Sequence, residues 1–143
     1  MSTPTSDNID DLAVAAAILA AEERTSGEIR VFISRQSPSN PEREARRQFG
    51  ILEMTRTPLR NGVLLYFAPA NRAFAVADDE SLAFRVGAAL TETVRAAMEP
   101  AWTEGRFHEA VLAAVDAAGV ELSRHFPRSR VDRDDLPNHV LRD

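Results

Sequence analysis

Apolar positions fall into seven blocks along the chain, and their spacing changes from block to block. Ser6 or Asp7 can cap a first helix running to about residue 24, with Ile9, Leu12, Ala16 and Leu19 on its inner face. Gly27 closes a turn. Ile29, Val31 and Ile33 then alternate with Arg30, Phe32 and Ser34, the period of a strand. Pro41 suits the first turn of a second helix over residues 42–54, with Ala45, Phe49 and Leu52 inward.

Residues 63–68 are apolar on both faces, which marks a central strand. Residues 69–72 make a tight turn, with Asn71 tolerating the angles it needs, and residues 73–77 return as a third strand. Leu82, Val86, Leu90, Val94 and Met98 recur every four residues as a third helix, whose end Pro100 disturbs. Gly105 precedes a fourth helix, with Phe107, Val111, Ala114, Ala118 and Leu122 inward and Pro127 as its stop. Residues 1–7 read as a flexible N-terminus. Residues 128–143 mix charges with few apolar positions and read as a mobile charged tail.

The element order is α-β-α-β-β-α-α. It predicts one α/β domain over residues 8–127, an α/β/α sandwich around a small mixed sheet. A strand–helix–strand unit crosses over right-handed and parallel, so strands one and two run together and strand three returns as a hairpin. Strand two is then central. A fourth short strand has no identifiable position in the pattern. With these directions, the starts of strands one and two meet the end of strand three at one edge. Glu28, Asn61, Asp78 and Asp79 collect there.

Composition narrows the functions open to this fold. The chain has 143 residues, enough for one core without staples. It has no cysteine, which excludes disulfides, thiolate metal sites and cysteine nucleophiles. A net charge of −5 argues against a nucleic-acid partner. The longest apolar run, residues 12–21, is too short for a bilayer span and follows aspartates rather than basic residues. A monomeric cytoplasmic protein without membrane insertion is the expectation.

The acidic edge carries the candidate chemistry. Glu28, Asp78 and Asp79 offer hard oxygen ligands, suited to calcium or magnesium, and a cation would relieve their mutual repulsion. The same acids are also ordinary residues for a turn and a helix start. Ser26 can contribute a hydroxyl, and Asn61-Gly62 is equally a turn signal. Arg60 can bind an anion or pair with the acids. Arg43, Arg46, Arg47 and Arg56 form a basic patch diluted by Glu42 and Glu44, a solvated face by default. His108, His125 and His139 lack metal-ligand spacing, and no serine has evident triad companions. No catalytic residue is assigned.

The segments that meet at this edge resemble the TPM domain family. The resemblance covers residues 21–127. It rests on the stretch from Thr25 through Val31 (TSGEIRV), Arg60-Asn61-Gly62-Val63-Leu64-Leu65-Tyr66, Asp79, Val86-Gly87, Gly105-Arg106-Phe107 and His125-Phe126-Pro127, taken in order. It implies an α/β/α sandwich and divalent-cation binding, with phosphatase activity proposed for plant members. Where many relatives carry Gly-Asp-x-Gly-Ile, this chain has Asp78-Asp79-Glu80-Ser81-Leu82. No segment of this sequence is expected to act as the signal peptide or anchor that many relatives carry. Three functions follow as expectations. One is a cation-binding module that engages an unknown ligand or protein partner. A second is a metal-assisted phosphatase with Asp79 and Glu28 as ligands and Arg60 on the phosphate. The third is an interaction scaffold without a small-molecule ligand.

Overall fold

The computed structural model describes residues 8–56, 60–128 and 140–143. Eight main elements follow in order: α1 (Asp11–Glu22), β1 (Glu28–Ile33), α2 (Pro41–Ile51), β2 (Gly62–Ala68), β3 (Ala73–Asp78), α3 (Glu80–Thr103), α4 (Phe107–His125) and β4 (Val140–Arg142). The sheet order is β3-β2-β1-β4. β1 and β2 are parallel, with Glu28 opposite Gly62, and β2 and β3 are antiparallel, with Val63 opposite Asp78. The expected sandwich, with the first three strands in their expected order and directions, is the fold observed.

Alternation along the strands builds the two halves of the core. Ile29, Val31, Ile33, Val63, Leu65, Phe67 and Phe74 pack against α1, α3 and α4. Phe32, Leu64, Tyr66, Ala75 and Ala77 face the opposite way, against Ala45 and Phe49 of α2. Both β1 and β2 are buried on both faces, as interior parallel strands must be. Asn40 caps α2 by accepting the Arg43 N–H at 3.1 Å, with Pro41 in the first turn as expected.

Four expectations need correction. Helix α1 is capped by Asp10, whose side chain accepts the Leu12 N–H. It buries Val14, Ile18 and Ala21, whereas Leu12 is 82% exposed and Leu19 51% exposed. Arg72, not Asn71, takes the left-handed angles of the β2–β3 turn, at φ 53°. Its carbonyl accepts the Trp102 Nε1–H at 2.8 Å. Helix α3 runs through Pro100 to Thr103. Pro100 gives up an N–H bond and crowds the carbonyl one turn back, and the packing of Trp102 between Phe67 and Phe107 holds the last turn in spite of it.

The fourth correction concerns the C-terminal segment. Val140–Arg142, expected within a mobile tail, pairs parallel with Val31–Ile33 as the fourth strand. Arg142 bonds Asp11 at 2.8 Å and the Ile9 carbonyl at 2.9 Å. Asp143 accepts the Arg35 N–H at 2.9 Å and the Ser34 hydroxyl. These anchors use the charged residues that made the segment read as unstructured. The rest of that tail, residues 129–139, and the N-terminus at residues 1–7 lie outside the described residues.

Candidate functional site

The strand directions bring Glu28, Asn61, Asp78 and Asp79 to the same end of the sheet. The Glu28 N–H donates to the Asn61 carbonyl at 3.4 Å, and the Asp79 N–H donates to the Gly62 carbonyl at 3.0 Å. Three consecutive strand ends are thus laced together around Asn61-Gly62. All four side-chain-bearing positions are buried.

The loop before β1 is tied into the same region. Thr25 Oγ donates to the Phe126 carbonyl and accepts the Gly27 N–H at 3.0 Å, while the Ser26 N–H donates to Phe126 O at 2.9 Å. Asn61 Nδ2 donates to Ser26 Oγ at 3.4 Å. The Thr25-Ser26-Gly27, Arg60-Asn61-Gly62 and His125-Phe126-Pro127 stretches therefore form one contiguous patch. A Cβ on Gly27 would stand 3.1 Å from Leu122 Cδ1, so the residue's small size is what allows this approach.

Each acid has an arginine. Glu28 Oε2 accepts from Arg30 Nη2 at 3.2 Å. Arg30 Nη1 also reaches Glu22 at 3.4 Å, and the guanidinium is buried with both carboxylates. Arg46 of α2 donates to the Asp78 carbonyl at 2.8 Å and stands 3.6 Å from its carboxylate. Arg60 Nε donates to Asp79 Oδ2 at 3.0 Å. That last pair is lopsided: the Asp79 side chain is 0% exposed and that of Arg60 53%. Burial pushes the Asp78 carboxyl above its ordinary value. Arg46 pulls it down in part, and Asp79 adds to the rise.

Two features bear on a cation. Among the described residues, no group of three or more His, Asp or Glu side chains is placed to hold a metal ion. Asn61 Oδ1, on a residue 1% exposed, is a buried acceptor with no hydrogen-bond partner among them. An amide oxygen of this kind is a hard ligand, chemically suited to calcium or magnesium. The donors fit such an ion in type, while the charges of the acids are met by arginines.

Sequence reasoning placed the acids but missed Glu22, Arg30 and Arg46. Arg30 stands in a strand and Arg46 in a helix on the far layer, where alternation marks a position as polar but not as paired. The basic patch is divided in the structure, with Arg46 turned to Asp78 and Arg47 to Glu44 at 2.9 Å.

A small α/β/α domain with a polar, arginine-balanced strand end is the class that fold and site define. The TPM domain model matches residues 6–121, and the chain belongs to that family. The BA42 protein of the psychrophilic bacterium Bizionia argentinensis, solved by NMR, is 31% identical, with a TM-score of 0.85 over 99% of this chain and 97% of that one. The N-terminal domain of the cg2496 protein from Corynebacterium glutamicum shares the fold at 15% identity, with a TM-score of 0.64 over 94% of this chain and 83% of that one. No curated protein matches the sequence. Among the described residues, no helix is long and apolar enough to cross a membrane.

Proposed function

We propose that the chain is a small binding module that takes a divalent cation, calcium or magnesium, at the end of the sheet where β1 and β2 begin and β3 finishes. The bound ion would serve to engage a ligand or protein partner. Asp79, Asn61 and Glu28 would hold the ion, with Asp78 adding charge beside them. The observation that carries the reading is the buried Asn61 Oδ1, which has no hydrogen-bond partner among the described residues and stands between the start of β1 at Glu28 and Asp79 just beyond β3. A buried acceptor in that condition costs about 1–3 kcal/mol, which a ligand would recover. The ion itself would supply positive charge to a site whose donors are all oxygens.

Since the acids already have counter-charges, binding should be weak, with a dissociation constant of roughly 10⁻⁴ to 10⁻³ M. Titration with calcium and with magnesium, followed by amide chemical shifts, tests the site and its location together. Shifts should centre on residues 26–28, 60–62 and 78–80. Asp79→Asn should weaken binding more than Glu80→Gln. Absence of saturable shifts up to about 10 mM, beyond the weak end of oxygen-ligand sites, defeats the reading.

A further inference from the structure

We propose that the carboxyl end of β1 is a second binding site, one that takes a small carboxylate, and that the chain fills it with the side chain of Asp143. The site lies at the opposite end of the sheet from Asn61 and does not depend on the cation reading. Ser34 directly follows β1, and its N–H is fixed on the Phe67 carbonyl of β2 at 2.8 Å. Its hydroxyl oxygen accepts the Gln36 N–H at 3.0 Å, which leaves the hydroxyl free to donate. One oxygen of the Asp143 carboxylate accepts that hydroxyl, and the other accepts the Arg35 N–H at 2.9 Å. A carboxylate held by a buried hydroxyl and a backbone N–H is thus already present, on a residue exposed to water. Open α/β sheets take their ligands outside the carboxyl ends of their strands, and β1, β2 and β4 all point this way.

A third donor is left over. Tyr66 stands opposite Phe32, with the two rings stacked at 5.7 Å between centroids, on the face that alternation gives to Ser34 as well. It is 1% exposed, and its hydroxyl has no hydrogen-bond partner among the described residues. Burial holds this phenol above its ordinary value of 10.0. Ser34 beside it pulls the other way, and Glu44 and Asp143 add to the rise. Tyr66 therefore keeps its proton at neutral pH, close enough to Asp143 to feel its charge without bonding it. A buried donor left idle is unfavourable, and a clasp that served only to hold β4 would gain nothing from it. Asp143 is tethered to β4 and meets two of the three donors, whereas an untethered carboxylate can meet all three. None of the three is cationic and Glu44 is near, so a monoanion suits the site better than a phosphate dianion.

Acetate is the probe, with inorganic phosphate as the contrast, titrated at constant ionic strength and followed by amide chemical shifts. Asp143→Ala removes the resident carboxylate, so acetate should bind this variant about tenfold more tightly than the unaltered protein, with shifts centred on residues 34–36 and 66. Phosphate should bind it more weakly than acetate does. Adding Ser34→Ala or Tyr66→Phe to Asp143→Ala should weaken acetate binding about tenfold, the size of one hydrogen bond to a charged group. Tyr66→Phe alone should leave the urea midpoint of the unaltered protein unlowered, because the hydroxyl it removes has no partner to lose. The same spectra report whether β4 stays on Val31–Ile33; if Asp143→Ala releases it, Asp143→Asn, which keeps an acceptor for the Arg35 N–H but not the charge, takes its place in every arm. Equal acetate binding by the unaltered protein and the Asp143 variant overturns the proposal. So does acetate binding indifferent to Tyr66→Phe, or a Tyr66→Phe protein that is clearly less stable, since the hydroxyl would then already be in use.

Discussion

The Glu22 carboxylate, at the end of α1, accepts the backbone N–H of Ile29 at 2.8 Å. Arg30 completes the arrangement by donating to the Ile29 carbonyl at 2.8 Å and to Glu22 at 3.4 Å. Glu28 N–H points toward β2, so the Ile29 groups point to the other side of β1, where β4 reaches only Val31–Ile33. A side-chain ion pair thus stands in for the peptide groups of a neighbouring strand. It satisfies the Ile29 peptide groups on that side of β1.

Removing Glu22 should therefore be severe. Glu22→Ala leaves the Ile29 N–H unsatisfied and weakens the support of a buried guanidinium, for an expected loss of about 3–5 kcal/mol. Glu22→Gln keeps an acceptor and should cost less. Urea unfolding of the two variants checks this. A loss under about 1 kcal/mol for Glu22→Ala would show that the pair is dispensable.

Strand β4 should contribute to stability despite its three residues. It pairs with Val31–Ile33, and Val140 and Leu141 pack on opposite faces against the two halves of the core. Deleting residues 140–143 reopens the β1 edge and removes the Arg142 and Asp143 anchors. The expected cost is about 2–3 kcal/mol, a fall of roughly 5–10 °C in the thermal midpoint for a domain of this size. An unchanged midpoint in calorimetry would contradict the docking.

These elements show what the sequence made legible. The alternation of Ile29, Val31 and Ile33, and the unbroken apolar run of β2, placed the sheet and hence the acids at one end of it. Helix α1 misled because residues 12–21 are all apolar, so every face looks like an inner face. What selects Val14, Ile18 and Ala21 is the partner helix α4, far away in sequence. β4 is shorter than any window that reveals a strand and is recruited by its neighbour. Buried arginines are the least legible of all, since Arg30 has the same pattern signature as a solvated base.

The α1–α4 contact gives a further prediction. A Cβ on Gly119 would lie 2.7 Å from Ala21 Cβ and 3.2 Å from Ala21 Cα. Gly119→Ala gains about 1 kcal/mol of helix propensity. Forcing two packed helices apart costs about 1–3 kcal/mol, so the variant should be less stable than the unaltered protein. Ala21→Gly in the same chain should recover part of the loss. A more stable Gly119→Ala, measured by chemical denaturation, would mean that the helices separate freely at this point.

Asp78 provides a pH test of the site's electrostatics. Burial raises its carboxyl above the ordinary value of 3.8, and Arg46 only partly opposes that. The folded protein then holds this proton more tightly than the unfolded chain does. Between 3.8 and the raised value the unfolded chain binds fewer protons, so the Asp78 contribution to stability falls as pH rises and stays low above the window. Asp78→Asn cannot ionise and escapes this loss. Its stability relative to the unaltered protein should therefore increase as pH climbs from about 3 toward neutrality, given the ordinary aspartate range. Urea midpoints of both proteins across that interval measure the difference, in which other acids cancel. The opposite trend, with the unaltered protein gaining on Asp78→Asn as pH rises, would mean that the Arg46 pair outweighs burial. The same titration bears on function. On the proposed cation binding, an ion would favour the ionised form, so calcium affinity should rise over the window where Asp78 loses its proton, and this part of the rise should be missing in Asp78→Asn.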